Sequence, residues 1–503
     1  MRKSYVACTV LLVLSLVAGL WLSATINEPI DRVEVQLQVV EGDPSAADGL
    51  ALMTIHRYEN LFWKSRIALG AQPAILSDFR LDEDTSLHTG ANSPHWLAQP
   101  LAEGDNWLHW DEEREQQLLL EDKGMYLETA LPDELCREIE AELGRTMGPH
   151  EEKTFEVWLK DYVDNYTDMV VAHRGMWYTE EVLAPCYTDE LIRRPVEEDF
   201  CVAVTLGTDG QGGVSYVDWN WDYYYEAYGD RAEGDTRPIP FGFDGVSVES
   251  QGMAKGSFVA VQMFREMAPL AQEDWFPRGY GIFYVPWSYE PFQNGSFYMN
   301  GEPVTGVDIP RFEEMTLVLP LDQTTGYVEA MGATPDGSSM WAVTREGAEV
   351  WLTGFADGGA VLYRQPLPGE LVDASGYVVH CREDFLVVCS GNGAFAVYTL
   401  AEDGAAQWQF NARNPYWDEE GWHGYWRSGF SGYRSYGEDL AYCDGKLAVC
   451  GGDELWVQVY DKTGLLCTVE YPLSLDSASG YGAGLRPYYY GGNDTPVQLF
   501  WQK

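Results

Sequence analysis

Tyr442-Cys443-Asp444-Gly445-Lys446-Leu447-Ala448-Val449-Cys450, continued by Leu455-Trp456-Val457-Gln458-Val459-Tyr460-Asp461-Lys462-Thr463-Gly464, is the most regular stretch of this 503-residue chain. An Asp-Gly turn feeds a strand in which apolar residues alternate. A Gly-Gly-Asp break follows, then a second alternating strand closed by Tyr-Asp-Lys-Thr-Gly. Period-two apolar residues bounded by turn formers predict β-hairpins.

The same unit recurs upstream. Val379 to Cys389 repeats the first strands with one extra residue; Phe395-Ala396-Val397-Tyr398 repeats the next, and Asp403-Gly404 closes it. A third copy opens at Thr334-Pro335-Asp336-Gly337, runs through Met340-Trp341-Ala342-Val343 and Ala348 to Leu352, and closes at Asp357-Gly358-Gly359. A spacing of about 45 to 60 residues is that of propeller blades with variable insertions. One such sheet cannot bury both of its faces alone; stacking copies buries them and leaves few open edges.

The Pro-Asp-Gly turn before a strand and the Val-x-Val-Tyr-Asp-x-x-Thr-Gly ending resemble the blades of WD40-like and quinoprotein-like β-propellers, over about 330 to 475. There is no Gly-His start and no Trp-Asp end. The tryptophan-docking motif of quinoprotein enzymes is absent, so the resemblance implies no pyrroloquinoline and no other cofactor. The fold expected is mainly β: a propeller of roughly six to eight blades with a helical insertion and an N-terminal transmembrane or signal helix. The strands near Leu50 to His56 and Leu61 to Leu69 are expected to close the ring with Val497-Gln498-Leu499-Phe500-Trp501.

The expected segments are 1–28, a signal-anchor; 29–106, N-terminal strands and a first blade; 107–198, the helical insertion; and 199–503, the remaining blades. Arg2 and Lys3 precede an apolar run from Tyr5 to Leu22. That run is about long enough to span a bilayer, and the flanking charges would keep the N-terminus cytoplasmic. It reads as an uncleaved single-pass anchor, with a cleaved signal peptide as the alternative. Either way the C-terminal domain is extracytoplasmic. Val33 to Val39 alternates as one strand. In the insertion, Asp111 to Glu121 is helical in composition. Leu135, Ile139 and Leu143 form a helical stripe, and Glu151 to Val171 another through Phe155, Leu159, Tyr162, Val163 and Tyr166.

A net charge of −47 excludes a nucleic-acid partner, because phosphate contact needs a basic surface. It also disfavours adhesion to anionic lipid, leaving the N-terminal segment as the membrane contact. The nine cysteines contain no CxxC pair and give no zinc signature. They read as small buried apolar residues, with a Cys443–Cys450 disulfide as the rival in an exported chain.

No GxSxG, HExxH, phosphate-binding loop or EF-hand loop is present, and no metal site is expected. Asp218 and Asp222 flank Trp219 and Trp221, a pairing of acids and rings that sugar hydrolysis uses. The aromatic loops carry more information. Trp408 to Tyr436 breaks the repeat and holds Trp417, Trp422, Tyr425 and Trp426 among glycines; 216–228 and 275–297 are similarly rich in rings. Such loops either pack on themselves or present contact surfaces for proteins and sugars. The function expected is a binding or scaffold module for a protein or glycan, with Trp417, Trp422, Tyr425, Trp426, Trp219 and Trp221 in contact. The alternative is a carbohydrate hydrolase or lyase using Asp218 or Asp222.

Overall fold

A computed structural model describes residues 13–19, 33–58, 61–77, 101–111, 116–119, 133–163, 165–173, 187–195, 201–220, 246–253, 255–263, 272–291, 297–299, 302–304, 306–372, 376–401, 403–416, 439–451, 456–475 and 497–502. The chain is mainly β, in antiparallel sheets. It divides into two compact units, residues 1–93 with 367–503 and residues 94–366. A helical run at 13–19 is exposed. Among the described residues no helix is long and apolar enough to cross a membrane. The rest of the expected anchor lies outside the described residues.

In the first unit the hairpin quoted above forms as its sequence dictates. Cys443 pairs with Lys446, so Asp444 and Gly445 alone make the turn. Their φ values of 47° and 79° are the left-handed pair of a two-residue hairpin turn, which Asp and Gly tolerate. Asp439–Cys443, Lys446–Gly451, Trp456–Asp461 and Gly464–Glu470 then run as a meander. The Asp461 carboxylate closes its last turn by accepting from the Thr463 amide and hydroxyl at 2.7 and 2.6 Å. Tyr377–Cys381, Phe385–Ser390, Ala394–Leu400 and Ala406–Arg413 repeat the design. So do Gly326–Ala333, Ser339–Glu346, Glu349–Ala356 and Val361–Pro366 in the second unit. All three sheets carry one extra residue at the same place in the outer strand: Leu362, Gln409 and Leu466.

The pleat assigns the faces. Leu440, Leu447, Val449, Trp456 and Tyr460 cover one side of the 439–470 sheet and pack on Phe395, Val397 and Phe410 of the 377–413 sheet. Ala448, Cys450, Val457, Val459, Cys467 and Val469 cover the other side and pack on Leu50, Leu52, Ile67 and Leu499. Those last residues belong to a sheet ordered Val497–Trp501, Leu50–Tyr58, Leu61–Ala68, Ala74–Ser77. The C-terminal strand therefore pairs with the N-terminal hairpin as expected, Leu50 opposite Trp501 and Leu52 opposite Leu499.

Val33 to Val39 is not one strand. Val33–Val35 pairs with Leu473–Leu475, and Gln38–Gly42 adds a fifth strand to the edge at Gly464–Glu470. No two of the seven described cysteines are joined to each other by a disulfide. Cys443 and Cys450 sit at opposite ends of their hairpin, one opposite Lys446 and the other opposite Asp439, so the register does not bring together the disulfide weighed as the rival reading.

In the second unit, Val246–Gly252, Gly256–Met263, Gly281–Pro291, Gly306–Pro310 and Thr316–Pro320 form a sheet whose core merges with that of the 326–366 sheet through Phe258, Phe355 and Met340. The Phe258 and Phe355 ring centroids are 5.3 Å apart. Leu191 and Ile192 of Tyr187–Pro195 join the same core. That strand belongs to a sheet ordered Tyr187–Pro195, Asn165–His173, Leu101–Asp111, Gln116–Leu119. Where the segments expected as helices over 111–121 and 151–171 are described, they hold the strands Gln116–Leu119, Glu152–Trp158 and Asn165–His173, with a short 3₁₀ turn at Leu159–Asp161. The remaining expected helix forms as α1, Asp133–Gly144.

Asp439 joins three sheets of the first unit. Its Oδ1 accepts from Arg382 Nη2 at 2.6 Å, and its Oδ2 accepts from the Leu499 amide. Asp439 is buried, and desolvation raises its carboxyl above the ordinary range while Arg382 opposes that rise. Charge-assisted bonds of this kind contribute about 1.5–3 kcal/mol each. Asp439→Ala is expected to lower unfolding free energy by about 2–4 kcal/mol and to expose the 497–501 amides. Urea titration with hydrogen exchange checks both.

Two buried tyrosines set an alkaline limit. The Tyr471 hydroxyl accepts from the Gly70 amide at 2.9 Å, and the Tyr280 hydroxyl donates to Gly326 O at 2.7 Å. Desolvation pushes both hydroxyls up to about 12. An unfolded tyrosine ionises near pH 10. The folded value lies above the unfolded one, so this stability is intact below about pH 10 and is lost as pH rises toward about 12. The denaturation midpoint is expected to fall over that window, and Tyr280→Phe with Tyr471→Phe to flatten the fall.

Candidate functional site

The first candidate region is a three-stranded sheet in the second unit, ordered Val214–Asn220, Cys201–Thr208, Glu152–Trp158. Val202, Val204 and Leu206 alternate on the central strand toward α1, where they meet Leu135 and Ile139. Trp219 lies opposite Val204 and takes the same side. Its indole nitrogen donates to Glu140 Oε1 of α1 at 2.9 Å, and its ring packs on this core. Asp218, one residue earlier, falls on the other side and is exposed. It lies opposite Thr205, whose hydroxyl is 2.9 Å from that of Thr154 on the far strand.

The strand period therefore separates the two adjacent candidates. Trp219 is a packing residue that ties strand to helix, and the ring expected beside Asp218 is turned away from it. Trp221 and Asp222 lie outside the described residues. Asp218→Ala is expected to change stability by less than about 0.5 kcal/mol, whereas Trp219→Ala removes a half-buried ring and costs about 2–4 kcal/mol. Thermal unfolding of the two variants separates these roles.

The second candidate region is the aromatic-rich segment between the 377–413 and 439–470 sheets. Trp417, Trp422, Tyr425 and Trp426 lie outside the described residues, as does His423. Both of its ends are described. Before it, the buried Asn414 donates its amide to Gly393 O at 2.9 Å and accepts from the Tyr416 amide at 3.0 Å. The Tyr416 hydroxyl donates to Glu41 Oε2 at 2.7 Å, reaching the added strand Gln38–Gly42. After it, Asp439 is held by Arg382 and Leu499. Trp408, on the strand leading in, is half exposed at 52%. The sequence marks Tyr416 as one ring of the aromatic segment, without its tie to Glu41, and gives no role to Asp439 or Asn414. The signal for Asp439 was a lone acid opening the apolar strand Asp439-Leu440-Ala441-Tyr442-Cys443.

Among the described residues no group of three or more His, Cys, Asp or Glu side chains is placed to hold a metal ion. No family model matches the chain. No curated protein matches it either. Solved structures similar to it are β-propeller proteins. The beta-propeller domain of Cps50 (Swd1) from Myceliophteria thermophila shares 8% identity, covering 55% of this chain and 81% of that one, with a TM-score of 0.20. The periplasmic gluconolactonase PpgL of Pseudomonas aeruginosa shares 10%, covering 84% and 98%, at 0.25. AztD of Citrobacter koseri shares 11%, covering 90% and 97%, at 0.23. Scores this low assign neither a site nor an activity to this chain.

Proposed function

We propose that this protein is an extracytoplasmic β-propeller, tethered through its N-terminal segment, that works by binding a protein or a glycan through residues 417–438. The observation that carries the reading is where this segment sits in the chain. Twenty-two residues hold seven aromatic side chains, and they leave one sheet and enter the next at points fixed by buried polar contacts. Fixed ends lower the ordering cost of a contact loop, and aromatic rings supply large contact area with few rotatable bonds.

The scaffold reading uses the six sheets of four or five strands found among the described residues as blades. Three of them lie in each unit. The acidic surface keeps such a module soluble and away from nucleic acid. The hydrolase alternative draws no support from Trp219, whose ring lies on the opposite side of the strand from Asp218.

The test is a glycan array together with partner capture, using the full chain in detergent. Trp422→Ala with Trp426→Ala is expected to weaken whatever binding is found at least ten-fold, about 1.4 kcal/mol, with the thermal midpoint unchanged. Binding that survives the double substitution, or survives replacement of 417–438 by a Gly-Ser linker, sinks this reading.

A further inference from the structure

The chain shows on one of its own sheets what an open outer edge accepts. Gln38–Gly42 lies antiparallel against Gly464–Glu470, with Gln38 opposite Glu470, Val39 opposite Val469, Glu41 opposite Thr468 and Gly42 opposite Cys467. The pairing begins just past the extra residue Leu466, whose carbonyl accepts from the Asp43 amide at 3.3 Å.

Ala406–Arg413 is the corresponding strand of the 377–413 sheet. Phe410 opposite Val397 matches Cys467 opposite Val459, and Gln409 is the extra residue where Leu466 is in the other. Asn411 and Arg413 thus correspond to Thr468 and Glu470. In an antiparallel ladder, alternate residues turn both backbone groups toward the neighbour. The Asn414 amide donates inward to Gly393 O, so Ala412 and Phe410 also face inward. Asn411 and Arg413 turn their N–H and C=O groups outward, in register with those that Gln38–Gly42 pairs on the other sheet.

Burial follows the same comparison. Thr468, under the added strand, is 2% exposed, while Asn411 is half-buried. Trp408, which corresponds to the half-buried Leu465, is 52% exposed. The third corresponding strand, Val361–Pro366, is blunted: it ends in a proline, and Arg364 is tied to Glu346 and lies 4.9 Å from the Trp351 ring centroid. Ala406–Arg413 has no proline and no lysine.

We propose that the outer edge of residues 407–413 is a strand-addition site for a partner protein, taking an extended segment with a β-branched centre and basic flanks. Val39-Val40 in the internal example sets the centre. The net charge of −47 sets the flanks: it draws in a basic segment and opposes a second copy of this chain. The site is a backbone edge and does not depend on residues 417–438.

The probe is a synthetic peptide, Lys-Lys-Gln-Val-Val-Gln-Gly-Lys-Lys, titrated against the full chain. Saturable binding is expected, with the Asn411 and Arg413 amides gaining protection from hydrogen exchange. Asn411→Pro removes an outward N–H, leaves the sheet's own ladder intact and, like Asn411→Ala, gives up the bond from Asn411 Nδ2 to Glu370 Oε2; it is expected to bind at least ten-fold more weakly than Asn411→Ala. Asn411→Ala keeps the N–H and is expected to bind like the parent. The proposal is overturned if the parent chain shows no saturable binding, or if Asn411→Pro binds as the parent does. It is also overturned if the protection appears elsewhere, or if the edge is found filled by a second copy that Asn411→Pro releases.

Discussion

A sheet whose middle strands turn apolar side chains to both faces can leave neither face in water, and that constraint organises this chain. Phe385–Ser390 and Gly256–Met263 are buried at every position, and Ser339–Glu346 at all but the last. Each Val, Leu or Phe so covered is worth about 1.5–3 kcal/mol against exposure. A lone hairpin cannot supply that cover, so each sheet borrows it from the next. In the first unit the 439–470 sheet is covered on one side by the 377–413 sheet and on the other by the sheet holding both ends of the chain. The polar tie at Asp439 sits at that junction and touches all three. Hydrophobic burial is non-directional, whereas two charge-assisted bonds to one carboxylate specify position.

Much of this was legible because local and global signals agree. Asp-Gly at 444–445 requires left-handed backbone, and the flanking alternation requires a sheet; both point to one hairpin. At Asp336-Gly337 the glycine alone is left-handed, with φ 66°, and the Asp336 carboxylate gathers the Thr334 and Ser338 hydroxyls at 2.7 and 2.8 Å. The pairing of the C-terminal strand with the N-terminal hairpin was legible from their shared β character. What sequence does not display is the extra residue repeated at Leu362, Gln409 and Leu466, because a bulge is a property of two strands together.

The misreadings have physical causes. Phe155, Leu159, Tyr162 and Val163 fall on a helical stripe. Phe155 and Val157, however, also alternate with Thr154 and Glu156, and burial against α1 selects the period of two. Leu159 opens a 3₁₀ turn, and Tyr162 and Val163 follow it, both amides donating to the Leu159 carbonyl. Val33 to Val39 alternates well enough for one strand, yet its two halves pair with different partners. Asp218 and Trp219 are neighbours in sequence and strangers in space for the same reason that strands alternate at all.

The added strand has a mechanical meaning. Val33–Val35 and Gln38–Gly42 are the first paired segments among the described residues, and they are zipped to residues 464–475 far along the sequence. Tension transmitted through the N-terminus reaches these short ladders before any four-stranded sheet. The ladders can part while the meander beneath, Asp439 to Glu470, keeps its own four strands. Peeling them would bare the Gly464–Glu470 edge and free Glu41 from Tyr416, so a pull at one end of the chain would be felt at the root of the aromatic segment near the other.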